Sequence, residues 1–259
     1  MDLNLDRASI SNYKNPSQKA RVLTEKWGLN NLYCPACTSN RVIKKPNNEE
    51  AVDFACPKCD APFQLKARQN PIGRKVADAA YKAMKRALLS DRFPHLVVMH
   101  YNIDMLKVLN VLIIPKHFLS LSAIESRQPL APTARRAGWI GCNIVLDHVP
   151  PDGRISLVDG GIVRDKNDVR TKFQLSHGLS NVETLKRGWV LDVLTALRSL
   201  SRAKFTLSEA YNLENMLSVR HPENRHVRAK IRQQLQVLRD LGYLSFLGHG
   251  AYRLKPLRQ

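Results

Sequence analysis

Four cysteines constrain this chain more than any other feature. They stand at Cys34, Cys37, Cys56 and Cys59, two C-x2-C pairs separated by 18 residues, which is the spacing of a four-thiolate zinc site. In each pair a proline follows the first cysteine, as Cys34-Pro35-Ala36-Cys37 and Cys56-Pro57-Lys58-Cys59. Its fixed φ helps to turn both sulfurs toward one point. The competing reading is a pair of surface disulfides, which needs an oxidising compartment. The opening residues, MDLNLDRASI, show no basic start followed by an apolar stretch. No secretory signal is therefore expected, and the default location is the cytoplasm, where thiols stay reduced. The expectation is a structural Zn²⁺ held by all four, with the fifth cysteine, Cys142, as a small buried residue.

Charge narrows the partner. There are 41 Lys+Arg against 22 Asp+Glu, a net +19, which calls for a polyanion, either nucleic acid or an anionic membrane. The longest apolar runs, such as Val111 to Ile114, fall far short of the ~20 residues that a membrane span needs. DNA is the expected partner and a membrane is not. The 259 residues allow one large domain or two modest ones. Residues 184–259 carry 14 basic and 5 acidic residues, while 1–183 carry 27 and 17, so the C-terminal part is more than twice as basic per residue. The polar stretch 174–181 (QLSHGLSN) suggests a linker near 175–186, and hence domains at 1–183 and 184–259.

The N-terminal part reads as an α/β unit. Ser17 to Trp27 predicts a helix with Ser17 as its cap, and 74–89 (RKVADAAYKAMKRALL) predicts a second. His95 to Tyr101 and Val108 to Ile114 read as buried strands. Arg154 to Val158 and Gly161 to Arg164 read as a hairpin across Asp159-Gly160. The C-terminal part reads as a winged helix. A helix over Trp189 to Leu200 precedes a capping box at Thr206-Leu207-Ser208-Glu209 that opens a second. A third is predicted over about Asn224 to Leu241, with a core stripe of Val227, Ile231, Leu235 and Leu238. Two short strands around Gly248-His249-Gly250 follow.

Two constellations carry chemistry. On the third helix, Arg225, Arg228, Arg232, Gln236 and Arg239 fall on a stripe roughly 80° wide. Arginine suits phosphate or guanine and glutamine suits adenine; a solvated basic face is the alternative. The second constellation flanks the second cysteine pair. Gln64 and Lys66 share one face of a predicted strand, and the Cys56–Cys59 turn would fold Asp53 back toward them. Asp53 and Gln64 can offer oxygens to Mg²⁺, and Lys66 can position a water against a phosphodiester. The pattern D-x10-[EQ]-x-K also occurs on ordinary solvated strands.

These residues resemble the DpnI family of methyl-directed (type IIM) restriction endonucleases, in the PD-(D/E)XK superfamily. The resemblance runs from Ser17-Gln18-Lys19-Ala20-Arg21 to the final hairpin. It is most specific over Leu130 to Ile144 (LAPTARRAGWIGCNI) and Lys230 to Asp240 (KIRQQLQVLRD). It implies a PD-(D/E)XK nuclease domain of α/β (α+β) class, with an inserted four-cysteine zinc site, followed by a winged-helix domain. It further implies Mg²⁺-dependent cleavage of double-stranded DNA at GATC carrying N6-methyladenine, by a monomer. By position, Asp53 and Lys66 match the family's catalytic aspartate and lysine, and Trp139 matches an aromatic residue set against the adenine methyl groups. Without the resemblance Trp139 reads as core. Arg135 and Arg136 read either as phosphate contacts or as plain surface charge. Gln64 departs from the family's glutamate and removes one negative charge, which weakens Mg²⁺ binding. Glu25, on the first predicted helix, either restores that charge or is a helix-surface residue. The alternative function is a non-catalytic reader of methyl-adenine DNA, a zinc module plus winged helix.

Overall fold

The computed structural model describes residues 1–45 and 52–257. Helix α1 covers Pro16–Asn31, and its cap is Asn15, whose side chain accepts from the backbone N–H groups of Ser17 and Gln18. Ser17 is therefore not the cap. Proline at the first helical position needs no N–H partner there, so the cap falls two residues before the serine. Near its C-terminal end α1 lies on the Phe54 ring: a Cβ on Gly28 would sit 2.8 Å from Phe54 Cζ. Glycine is what lets the ring in.

Three short strands follow, β1 (Ile43–Lys44), β2 (Phe54–Ala55) and β3 (Pro62–Arg68). The next strand, β4, spans Lys75–Ala80 and only then does helix α2 (Tyr81–Leu89) begin. This corrects the predicted helix over 74–89. Alanine-rich sequence favours helix, but Val76 and Asp78 alternate inward between exposed neighbours, and pairing with a neighbouring strand overrides propensity. Strands β5 (His95–Asn102), β6 (Lys107–Ile114), β7 (Ile124–Ser126), β8 (Gly141–Val145), β9 (Ile155–Asp159) and β10 (Ile162–Val163) complete the N-terminal part. Gly160 and Gly161 make the β9–β10 turn at φ 56° and 80°, where a side chain would be strained.

Seven strands form the main sheet, in the order β1-β2-β3-β5-β6-β9-β10. Among the described residues only β3 and β5 run parallel, in the register Gln64 opposite Leu96 and Lys66 opposite Val98. Strand β5 is buried on both faces, so its alternate residues enter two different cores. Val97, Met99 and Tyr101 pack with Leu23 and Trp27 of α1 and with Cys34 and Cys56. Leu96 and Val98 pack with Met84 and Leu88 of α2 and with Ile144 of β8. A second sheet, β4-β8-β7, lies on this latter side.

The predicted linker is not an exposed tether. Helix α3 (Lys166–Gln174) ends just before it and α4 (His177–Ser180) lies within it, and Ser176 and Leu179 are fully buried. Leu179 anchors this polar-looking stretch to the core, while Leu175 stays exposed. Helix α5 (Thr184–Ser199), strand β11 (Lys204–Thr206), helices α6 (Leu207–Tyr211), α7 (Glu214–Arg220) and α8 (Val227–Asp240), and strands β12 (Leu244–Gly248) and β13 (Ala251–Leu254) follow. The Thr206–Glu209 capping box forms in both directions. The order β11-β13-β12 makes a three-stranded wing. The predicted second helix is split into α6 and α7, and α8 starts at Val227, leaving Arg225 in the preceding loop. The core under α8 is continuous with the one beneath the sheet: Leu191 and Leu194 of α5 join Leu96 and Val98 to Ile231, Leu235 and Leu238.

Candidate active site and DNA-facing surfaces

The cysteine pairs leave the end of α1 and the β2–β3 turn, and the fold brings them together. All four sulfurs lie within 4.8 Å of one another. Cys34 to Cys59 is 3.6 Å and Cys37 to Cys56 is 3.5 Å, far from the ~2.05 Å of a disulfide and close to the edge of a tetrahedron with ~2.3 Å Zn–S bonds, about 3.8 Å. Backbone N–H groups of Lys58 and Cys59 point at Cys56 Sγ at 3.3 and 3.5 Å. Burial works against the Cys56 thiolate, but those N–H groups and the neighbouring thiols bring its pKa down to about 6. The residues fit a structural zinc. Arg170 of α3 ties the first pair to the sheet by donating to Ser39 O at 3.0 Å.

The second pair closes the β2–β3 ribbon. Phe54 pairs with Phe63 and Ala55 with Pro62, which puts Asp53 just beyond β2, opposite Gln64. Its N–H donates to Phe63 O at 2.9 Å and its Oδ2 accepts from Leu65 N–H at 2.7 Å. Asp53 is thus stapled to β3 on both sides of Gln64. Burial raises its pKa, the Leu65 N–H opposes that rise, Glu25 adds to it, and Lys66 and Arg21 pull it down. The net result is a carboxylate that an added cation would relieve.

Gln64 and Lys66 point to the α2 side of the sheet, where they meet a residue that the sequence did not single out. Asp78 of β4 is buried, with its carboxylate paired to Lys66 Nζ. The Gln64 amide satisfies both neighbours when its nitrogen donates to Asp78 Oδ2 at 3.2 Å and its oxygen accepts from Lys66 Nζ at 3.1 Å. Lys66 is therefore bonded to Gln64 and Asp78, while Asp53 bonds to backbone between them. Reading 74–89 as a helix hid Asp78. The V-A-D alternation at Val76, Ala77 and Asp78 was the available signal. Glu25 is not a solvated surface residue: only 13% of its side chain is exposed, and it binds Arg21 Nε at 2.5 Å and Lys44 Nζ at 2.9 Å. Those two cations hold its carboxyl below the usual range although burial raises it. Cys142 is a fully buried core residue whose thiol donates to Ala79 O at 3.3 Å.

Trp139 belongs to neither core. It lies half-buried at the base of the loop joining β7 and β8, with its ring over Gly141, where a Cβ would come within 2.8 Å of it. The Arg136 guanidinium sits 4.8 Å from the ring centre. Arg135 and Arg136 are both exposed, so Arg136 is more than scattered charge: it covers one side of the indole. On α8, Arg232 and Gln236 are exposed, as is Arg225 in the loop before it. Arg228 binds Glu214 Oε2 at 2.7 Å and Arg239 binds Asp240 at 2.9 Å, two pairings that a helical wheel does not reveal.

The profile of the DpnI, or Dam-replacing, family matches residues 1–182, and that of the Dam-replacing helix-turn-helix domain matches 185–254. The chain belongs to the DpnI family. This is a restriction-enzyme family, and membership supports methylation-directed DNA recognition by an α/β part followed by a helix-turn-helix part. As a DpnI-family member the chain combines the restriction-endonuclease fold with a winged helix and a cysteine cluster suited to zinc. No helix among the described residues is long and apolar enough to cross a membrane.

Proposed function

We propose that this DpnI-family chain is an active endonuclease that cuts double-stranded DNA at GATC carrying N6-methyladenine, with Mg²⁺ as catalytic ion and Zn²⁺ as structural ion. The observation that carries the reading is the stapling of Asp53 opposite Gln64, with the Lys66 ammonium on the same strand as that glutamine. Asp53 and Gln64 are the residues that would hold Mg²⁺. One carboxylate held above its usual range by burial and one amide oxygen are hard donors of the kind this ion takes. When bound, the ion lowers the pKa of a water and offsets charge on the phosphate. The chain's own part is to fix positions. Asp53 and Gln64 set the phosphodiester's distance from β3. Lys66 presents its ammonium to the attacking water as that oxygen bonds to phosphorus and the ester oxygen opposite departs.

Residues 1–183 serve as the nuclease domain and 184–259 as the winged-helix DNA-binding domain, in a cytoplasmic monomer. Trp139 covers the N6-methyl group, which adds apolar surface to the major groove, while Arg135 and Arg136 meet phosphate. Arg225, Arg232 and Gln236 meet DNA from the α8 side, beside Arg228, which Glu214 holds in an ion pair.

Plasmids methylated and unmethylated at GATC, incubated with Mg²⁺ or with chelator, test the reading. Metal-dependent cutting of the methylated plasmid alone is expected, with cutting abolished and binding retained in Asp53→Ala. Tight binding without cutting, even at high Mg²⁺ or Mn²⁺, would leave a non-catalytic reader of methylated DNA instead. Cutting that survives Asp53→Ala removes that residue from the site.

A further inference from the structure

Resting on the catalytic reading above, we infer that Asp78 is a positioning residue that makes a glutamine workable at position 64. An amide offers a metal one good atom and one useless one. The oxygen can be a ligand and the NH₂ cannot. A glutamate at the same place needs no such choice, because its two oxygens are equivalent. A chain with Gln64 therefore needs something that holds the amide by its nitrogen.

Asp78 has the chemistry for that. An ionised carboxylate accepts hydrogen bonds and donates none, so its only good contact with Gln64 is to the NH₂. In the amide orientation that satisfies both neighbours, Gln64 Nε2 donates to Asp78 Oδ2 at 3.2 Å and the amide oxygen accepts from Lys66 Nζ at 3.1 Å. The same carboxylate pairs with Lys66 itself, so one buried group fixes both β3 side chains at once. It also returns, one residue removed, the negative charge that glutamine lacks.

The backbone aims Asp78 at this spot. Strand β4 pairs with β8 as Asp78 opposite Cys142 and Ala80 opposite Gly141, with a register shift between Asp78 and Ala80. The extra residue, Ala79, is held by the Cys142 thiol on its carbonyl and by its own N–H on Asp78 Oδ1 at 2.8 Å. A bulge of this kind re-aims a side chain. Strand β8 starts at the glycine on which Trp139 rests, so the strand that supports the indole also sets the register of the carboxylate.

The test is a double-mutant cycle between positions 78 and 64, read by single-turnover cleavage of a methylated duplex and by calorimetric titration of Mn²⁺ into the zinc-loaded, Mg²⁺-free protein. Asp78→Asn in the native background is expected to cost about 10–100-fold in both readouts, the range for a residue that orients a metal's ligand. Gln64→Glu alone is expected to tighten Mn²⁺ binding, and its own cleavage rate is the reference for the second background. In the Gln64→Glu background Asp78→Asn is expected to cost several-fold less, because a carboxylate has no amide to orient and asparagine can donate to it. Equal losses in the two backgrounds, within the roughly twofold scatter of independent sites, would overturn the inference and leave Asp78 a purely structural residue. Failure of the catalytic reading looks different: the native protein binds methylated duplex and does not cut. The Mn²⁺ arm of the cycle then still decides whether Asp78 and Gln64 act as a pair.

Discussion

The two parts of this chain hold their proposed DNA-facing residues by opposite means. Asp53 is carried by a two-residue strand and a turn, β2 and the Cys56–Cys59 knuckle, a ribbon arm too short to be stable by pairing alone. Arg232 and Gln236 ride on α8, fourteen residues long, whose Ile231, Leu235 and Leu238 are fully buried. One site depends on a metal-sized cluster of thiols and a few backbone bonds; the other depends on apolar area. The difference predicts that they fail separately, although they share one molecule.

Zinc removal gives the largest effect. Cys56→Ser should strip the metal, because a serine oxygen does not replace a thiolate ligand, and zinc binding of this kind contributes folding free energy directly, about 10–16 kcal/mol in small zinc modules. Cleavage is expected to vanish while binding to methylated duplex, carried by α8, weakens only several-fold. Metal content, cleavage and a binding titration on one preparation check it. Full cleavage with no bound zinc would show that the β2–β3 ribbon stands on the Phe54 and Phe63 packing alone.

The same contrast explains what the sequence revealed. The α8 stripe, the Thr206 capping box and the C-x2-C pairs are local patterns whose spacing states the geometry. Asp53, Gln64 and Lys66 could be grouped because a metal knuckle between them implies a hairpin. Asp78 could not, because its neighbours are alanines: Lys75 to Ala80 is chemically a helix and becomes a strand only because β8 lies beside it. Polar residues at 174–181 hid a packed connection for the related reason that Leu179, a single apolar residue in a tight turn, gives no periodicity. The shared core also changes how the C-terminal part has to be tested. Deleting 184–259 would remove α5 from its packing on α2 and on the Leu121–Ala123 turn, so point changes on α8 are the clean probe.

The next effect in size concerns methyl preference. Trp139 is a surface ring fixed by Gly141 below and Arg136 beside it. Trp139→Ala is expected to lower the ratio of cleavage on methylated over plain DNA by about 1–3 kcal/mol, roughly 5–150-fold, the range of a direct major-groove contact. Arg136→Ala, which removes only the cation at the ring, should cost about 0.5–1 kcal/mol of the same ratio. Competition cleavage of the two duplexes in one tube measures both. An unchanged ratio in Trp139→Ala would assign the methyl group to the winged helix alone.

The smallest effect separates arginines that the helical wheel treats alike. Arg232 is exposed on α8, whereas Arg228 lies over the Tyr211 ring and is bonded to Glu214. A cation that meets a phosphate releases a counterion when DNA binds, and that release sets the slope of log affinity against log salt. Arg232→Ala is expected to weaken binding to all sequences alike and to reduce that slope by about 1. Arg228→Ala should change the slope by much less, because Glu214 already neutralises the charge that would otherwise displace a counterion. Binding titrations from low to moderate salt, run on both variants, decide between them. Equal slope changes would mean that the Glu214 pair opens on DNA and that α8 uses its whole basic stripe; a change in Arg228→Ala alone would move the phosphate contact toward the start of the helix.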